Sequence, residues 1–178
     1  RVIAEKISVR MANKPDSQEI CFVPDDDYAG FIKEYSGDTF EAGNFVDMNG
    51  NVIGEHKGII HYTIGQRKGL VVAFGDPRYV IKILPESNIV VLGTKEDLNK
   101  TDVFVRDLNL MKFKELPDEM EALSKIRYKD RGAESTITPQ EDGRLKISFY
   151  SEVQGVAPGQ SAVFYDGNDL IGGGFIDN

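Results

Sequence analysis

Between residues 28 and 37 the apolar side chains fall at Tyr28, Phe31, Ile32 and Tyr35. That i, i+3, i+4, i+7 spacing predicts a short helix, with Asp25–Asp27 available as its cap and Gly37 as its stop. The first dozen residues repeat the rhythm at Val2, Ile3, Ile7 and Met11, before the breaker cluster Asn13–Ser17. Beyond Gly37 the period shortens. Apolar runs at Gly43–Asp47, Val52–Ile53, Arg78–Leu84 and Ile89–Leu92 predict strands, with turns at Asn49–Gly50 and Pro85–Asn88, and Thr94–Leu98 predicts one helical turn. From Asp102 on, strands are expected at Asp102–Leu110, Met120–Tyr128, Glu134–Thr138, Leu145–Tyr150, Ser161–Tyr165 and Leu170–Ile176. Leu145, Ile147 and Phe149 alternate with Lys146 and Ser148, the signature of a half-buried strand. Short strands at roughly ten-residue intervals favour a small barrel over a parallel sheet.

Composition narrows the functional classes. With 21 Lys and Arg against 29 Asp and Glu, the 178-residue chain carries a formal charge of −8. Such a balance excludes blanket attraction to DNA and leaves room for a local basic patch. The longest apolar run, Leu70–Phe74, is far short of the ~20 residues of a membrane span. A single cysteine excludes an internal disulfide framework and a cysteine-rich zinc site, and suits a reducing cytoplasm.

Four segments carry candidate chemistry. Cys21, the one cysteine, reads either as a reactive thiol able to carry sulfur or as a small buried hydrophobe beside Ile20, Phe22 and Val23. Its neighbours Asp16, Glu19 and Asp25–Asp27 would raise rather than lower a thiol pKa. The run Gly54–Leu70 holds His56, Lys57, Arg67 and Lys68 between glycines, which suits either a phosphate cradle or a tight turn with a solvated basic face. His56 and His61 are five residues apart, and no second cysteine joins them, so no metal site is expected. Lys125, Arg127, Lys129 and Arg131 would share one face of a strand, as a phosphate-binding stripe or as a charged edge resisting aggregation, and Tyr128 is of a type that stacks on bases. Gly172–Gly174 lacks the lysine and hydroxyl residue of a phosphate loop and reads as a bulge or tight packing in the last strand.

At KPDSQEICFVPDDDY (Lys14–Tyr28), GEHKGIIHYTIGQRKGL (Gly54–Leu70), KIRY (Lys125–Tyr128), PGQSAVFYDG (Pro158–Gly167) and LIGGGFID (Leu170–Asp177), the chain resembles the tRNA-specific 2-thiouridylases of bacteria and organelles. The resemblance implies three parts: an N-terminal ATP-pyrophosphatase domain, a small central domain and a C-terminal β-barrel similar to the second domain of elongation factor Tu. Since no SGG loop precedes Cys21, the chain is expected to be a fragment without the site for ATP and its magnesium, and inactive alone. In the family, ATP adenylates the C2 oxygen of the wobble uridine in tRNAs for Lys, Glu and Gln, and persulfide sulfur replaces it. The position matching the sulfur-carrying cysteine is Cys21; its family partner, a second cysteine that either helps release sulfide or closes a transient disulfide with it, belongs to the N-terminal part. The tRNA contacts of the family fall on Arg127, Tyr128 and Gln160. Many relatives carry arginine where this chain has Lys129, so a bidentate contact there is not expected. His56, Lys57, Arg67 and Lys68 join the tRNA candidates on charge alone.

The expectation is therefore a mainly β protein with minor α structure: residues 1–20 as remnant and lead-in, 21–100 as a central domain with the cysteine loop, and 101–178 as the barrel. Its partners would be tRNA and a cysteine desulfurase or sulfur-relay protein, in the cytoplasm. The alternative is a stand-alone RNA-binding barrel with a structural cysteine.

Overall fold

The computed structural model describes residues 2–7, 23, 27–72, 75–128 and 130–177, and Cys21 and Lys129 lie outside them. The chain divides into two compact units, residues 1–40 and 41–178. Among its described residues the first holds two helices, α1 (Val2–Lys6) and α2 (Tyr28–Ser36). Helix α2 has the ends its sequence predicts. The Asp27 carboxylate accepts the Gly30 N–H at 2.9 Å, and Gly37, at φ 71°, donates its N–H to Lys33 O.

The second unit is mainly β, with short 3-10 turns that include Glu96–Leu98, where the sequence predicts a helical turn. Strands β1 (Gly43–Val46), β2 (Val52–His56), β3 (Tyr79–Leu84) and β4 (Ile89–Gly93) form a sheet in the order β2-β1-β4-β3. All pairs are antiparallel except β1 and β4, which run parallel and so need the long crossover through β2 and β3. Phe45, Tyr62, Val80, Val90 and Leu92 make its core. Asn88, at φ 51°, ends the turn before β4 in the left-handed conformation that asparagine tolerates. Its amide Nδ2 donates to Glu41 O and Ala42 O, tying that turn to the lead-in of β1.

Strands β5 (Lys100–Leu110), β6 (Met120–Lys125), β7 (Ala133–Pro139), β8 (Leu145–Val153), β9 (Ser161–Asp166) and β10 (Asp169–Ile176) close into a barrel ordered β10-β5-β8-β7-β6-β9. Leu145, Ile147 and Phe149 point inward, as their alternation predicts, and meet Val103, Val105, Ile137, Phe164, Ile171 and Ile176. Buried Ser124 and Ser135 satisfy each other at 2.7 Å, and Ser135 also donates to Ala122 O. The glycines of β10 are where neighbouring backbones come closest. A Cβ on Gly172, Gly173 or Gly174 would lie 2.5–2.6 Å from a carbonyl oxygen of an adjacent strand, and the ladder on either side of them is bulged.

One expectation is corrected. Strand β6 stops at Lys125 rather than Tyr128, so Lys125, Arg127 and Arg131 do not line one strand face. Ile126 turns into the barrel core, 1% exposed, and the Asp130 carboxylate accepts the N–H groups of Ile126 (3.3 Å) and Gly132 (3.1 Å). A closed turn therefore replaces the strand, and Arg127 and Tyr128 ride on it. Among the described residues no helix is long and apolar enough to cross a membrane.

Candidate functional site

Two loops at one end of the barrel build an open groove of about 880 Å³, lined by Lys125, Arg127, Tyr128, Gly159, Gln160, Ser161, Val163 and Tyr165. The first loop follows β6. Its turn is locked by Asp130, whose own N–H donates to Arg127 O, and it leaves Tyr128 98% exposed. The second loop enters β9. Gly159 donates its N–H to Ile176 O, while Gln160 O accepts the Ile176 N–H at 2.7 Å, so the end of β10 fixes the Gln160 backbone and leaves its amide exposed. Arg127, Tyr128 and Gln160, proposed separately from the sequence, thus stand around one concavity although 32 residues separate Tyr128 from Gln160.

Electrostatics set this groove apart from the rest of the surface. Among the described residues its lining holds two cations and no carboxylate, in a chain with a net charge of −8. On the barrel surface elsewhere several cations are neutralised by carboxylates: Lys112 meets Asp166 and Asp169 at 2.7 and 2.8 Å, Arg144 meets Asp142 at 2.8 Å, and Lys146 meets Asp102 at 3.1 Å. Those neighbours hold the Asp102 and Asp142 carboxyls below the usual carboxylate range. Arg127 is absent from every ion pair among the described residues. The Lys125 ammonium lies 5.1 Å from the centre of the Tyr165 ring, a cation–π contact that holds the charge at the groove's edge. Two unpaired cations, an amide and two tyrosines can accept phosphate oxygens and the face of a base or sugar together. Tyr165 was not singled out from the sequence. Its signal is the two-residue period of Ser161, Val163 and Tyr165, which puts all three on the outer face of β9.

Within the glycine-bounded segment 54–70, His56 and Gln66 have structural roles. His56 is 2% exposed and sits with Phe45 and Tyr62 in a triangle of edge-to-face rings, centroids 5.2–5.6 Å apart. Gly58 N–H donates to Nδ1 at 3.1 Å, so the proton resides on Nε2, which donates to Asn88 O at 3.1 Å. Gln66 is likewise engaged, accepting Thr63 N–H and donating to Lys68 O. His56 is therefore a core histidine and leaves the set of surface cations. Lys57, Arg67 and Lys68 are exposed but do not line the groove; Arg67 borders a separate cavity of about 280 Å³ with Asp76 and Arg78. Cys21 lies outside the described residues, and among those residues no three His, Cys, Asp or Glu side chains are grouped for a metal.

Burial depresses the His56 pKa below its ordinary value near 6.5, against a smaller opposing effect of the Asn88 hydrogen bond. The unfolded chain takes up this proton as pH falls through 6.5 while the folded one resists, so stability is full above that value and declines below it. We expect the slope of unfolding free energy between pH 6.5 and 5 to fall by up to about 1.4 kcal/mol per pH unit in His56→Gln. An unchanged slope in urea titrations of the variant would remove His56 as the titrating group.

Comparison with known proteins gives two family matches. Residues 29–94 match the family described as tRNA methyl transferase PRC-barrel domain, and residues 100–176 the Aminomethyltransferase beta-barrel domain. The chain is 49% identical over 176 residues to the tRNA-specific 2-thiouridylase MnmA of Lachnoclostridium phytofermentans. It is also 49% identical over 177 residues to MnmA 1 of Clostridium botulinum, and 48% over 178 to MnmA of Clostridium kluyveri. These alignments cover 99–100% of the chain, which spans about half the length of those relatives.

Proposed function

Because this chain belongs to the tRNA-specific 2-thiouridylase family, whose central and C-terminal domains it carries, we propose that it positions tRNA for, and supplies sulfur to, thiolation of the wobble uridine. In this reading the complete enzyme uses ATP, with magnesium, to convert the uridine C2 oxygen into an adenylate, so that AMP leaves when sulfur attacks C2. The ATP site lies outside this chain. Cys21 carries the incoming sulfur as a persulfide, received from the persulfide of a cysteine desulfurase or a relay protein. Once its outer sulfur is bonded to C2, a second cysteine outside this chain attacks Cys21 Sγ, breaking the S–S bond to leave the sulfur on C2 and closing a transient disulfide that a thiol reductant reopens. The substrates are tRNAs for Lys, Glu and Gln, and the reaction runs in the cytoplasm. The chain alone is expected to bind tRNA without thiolating it.

The observation that carries the tRNA reading is the carboxylate-free groove on an acidic protein, with Arg127, Tyr128 and Gln160 around it. Localised cations on an acidic total favour a partner recognised by the shape of its backbone over indiscriminate polyanion binding. Lys57, Arg67 and Lys68 extend the same reading to the four-stranded sheet as further phosphate contacts. Arg127→Ala should weaken tRNA binding by this chain about ten-fold or more, the scale of a lost charged hydrogen bond. The slope of log affinity against log salt should also shrink by about 0.7–0.9, as for one phosphate contact. Filter binding across a salt series measures both. Equal affinity and slope in wild type and variant would sink the assignment of this groove to tRNA.

A further inference from the structure

We infer that Gly155 is a positioning residue for Arg127: its missing side chain is the niche in which the guanidinium is held toward the groove. A Cβ built on Gly155 would stand 2.6 Å from Arg127 Nη1, 3.0 Å from Cζ and 3.5 Å from Nη2. The guanidinium thus lies directly over the Gly155 backbone, closer than any side chain at 155 would permit. A buttress matters here because the usual one is lacking. Arg127 meets no carboxylate among the described residues, and Asp130, three residues on, uses both carboxylate oxygens on the backbone N–H groups of its own turn. Contact of one face with the Gly155 backbone orients the exposed side chain without neutralising it, so its N–H donors remain available to an external acceptor. A surface against that face also lowers the freedom lost when a ligand binds, which is the source of affinity in a preorganised site.

The niche belongs to the segment that also presents Gln160. Residues 154–160 connect β8 to β9, with Gly155 against Arg127 at one end and Gln160 in the groove at the other. Gln154 anchors the near end by donating to Asn99 Oδ1 at 2.6 Å. One connection therefore sets both the arginine and the amide. Gly155 has a second reason to be glycine, its φ of 77°, and the two reasons separate by substitution. Gly143 has φ 83° with nothing within 4 Å of its Cβ position, so Gly143→Ala carries backbone strain without a collision. Gly155→Asn does the reverse, because asparagine tolerates left-handed backbone but brings a Cβ.

The functional half of this inference rests on the tRNA reading above; the geometric half does not. The experiment combines the Arg127 Nε–H resonance in ¹⁵N NMR with tRNA affinity for Gly155→Ala, Gly155→Asn, Gly143→Ala, Arg127→Ala and the Gly155→Ala/Arg127→Ala pair. Both Gly155 variants should shift the Nε–H resonance and weaken tRNA binding by about the ten-fold expected of Arg127→Ala. Gly143→Ala should change neither, and the double variant should bind no worse than Arg127→Ala alone. An unshifted resonance in Gly155→Asn overturns the inference whatever the affinities are. So do affinity losses that multiply in the double variant. If the resonance shifts while no variant loses tRNA, the niche stands and the tRNA reading fails.

Discussion

Replacing Cys21 with serine in the complete enzyme is expected to cut 2-thiouridine formation by roughly 10³-fold or more, the scale on which removing a covalent nucleophile acts. A thiol can take a second sulfur atom to become a persulfide whose terminal sulfur attacks C2. A hydroxyl of nearly the same size can neither accept that sulfur nor be regenerated by disulfide exchange. The affinity for tRNA should hold, because the described lining of the groove that we assign to tRNA comes from residues 125–165. The readout is 2-thiouridine released by nuclease digestion of a tRNA transcript incubated with ATP and a sulfur source, with circular dichroism to confirm that the variant folds. Undiminished product would make Cys21 a packed hydrophobe and leave the chain as an RNA-positioning module. The acidic residues next to Cys21 in the sequence, Asp16, Glu19 and Asp25–Asp27, disfavour the thiolate, so sulfur loading should rise with pH.

The largest stability effect is expected at the barrel's centre. Phe164 is 0% exposed and stands opposite Ser124 of β6 and Gly172 of β10, with Ile126, Ile147 and Ile176 in the same core. Phe164→Ala removes a ring whose space closed strands cannot collapse to fill, and should cost about 3–5 kcal/mol. Against a typical total of about 5–15 kcal/mol, that is enough to populate the unfolded state. The midpoint of urea denaturation should drop sharply with little change in slope. Tyr128→Ala removes another aromatic ring, but an exposed one, and should leave stability within about 0.5 kcal/mol of wild type. A loss below about 1 kcal/mol for Phe164→Ala would mean that the barrel repacks around the gap.

The alternation in Leu145–Tyr150 and the turn residues at Asn49–Gly50 and Pro85–Asn88 made the strands legible, because each signal is contained in a few adjacent residues. What depended on distant residues was not legible. The parallel pairing of β1 with β4 joins residues some 45 positions apart and leaves no local mark. His56 looks like a surface cation beside Lys57 until Asn88, 32 residues away, supplies the carbonyl that makes it a core group. The alternating charges from Lys125 to Arg131 resemble an edge strand, and only the Asp130 carboxylate folding back on Ile126 and Gly132 turns them into a loop. Arg127, Tyr128 and Gln160 came from resemblance to a family; their placement around one groove, with Tyr165 and the Gly155 niche, required the folded barrel.

The order of strands around the barrel bears on how the protein is made. β10 pairs with both β9 and β5, so it is the last strand of the barrel to be translated that joins the other two ends. Until it emerges from the ribosome, β5, β8, β7, β6 and β9 form an open sheet with unpaired edges on β5 and β9. Such edges invite pairing with other nascent chains. A delay in the arrival of β10 would prolong that exposure, whereas a chain refolding from denaturant has all six strands at once and closes the seam without waiting.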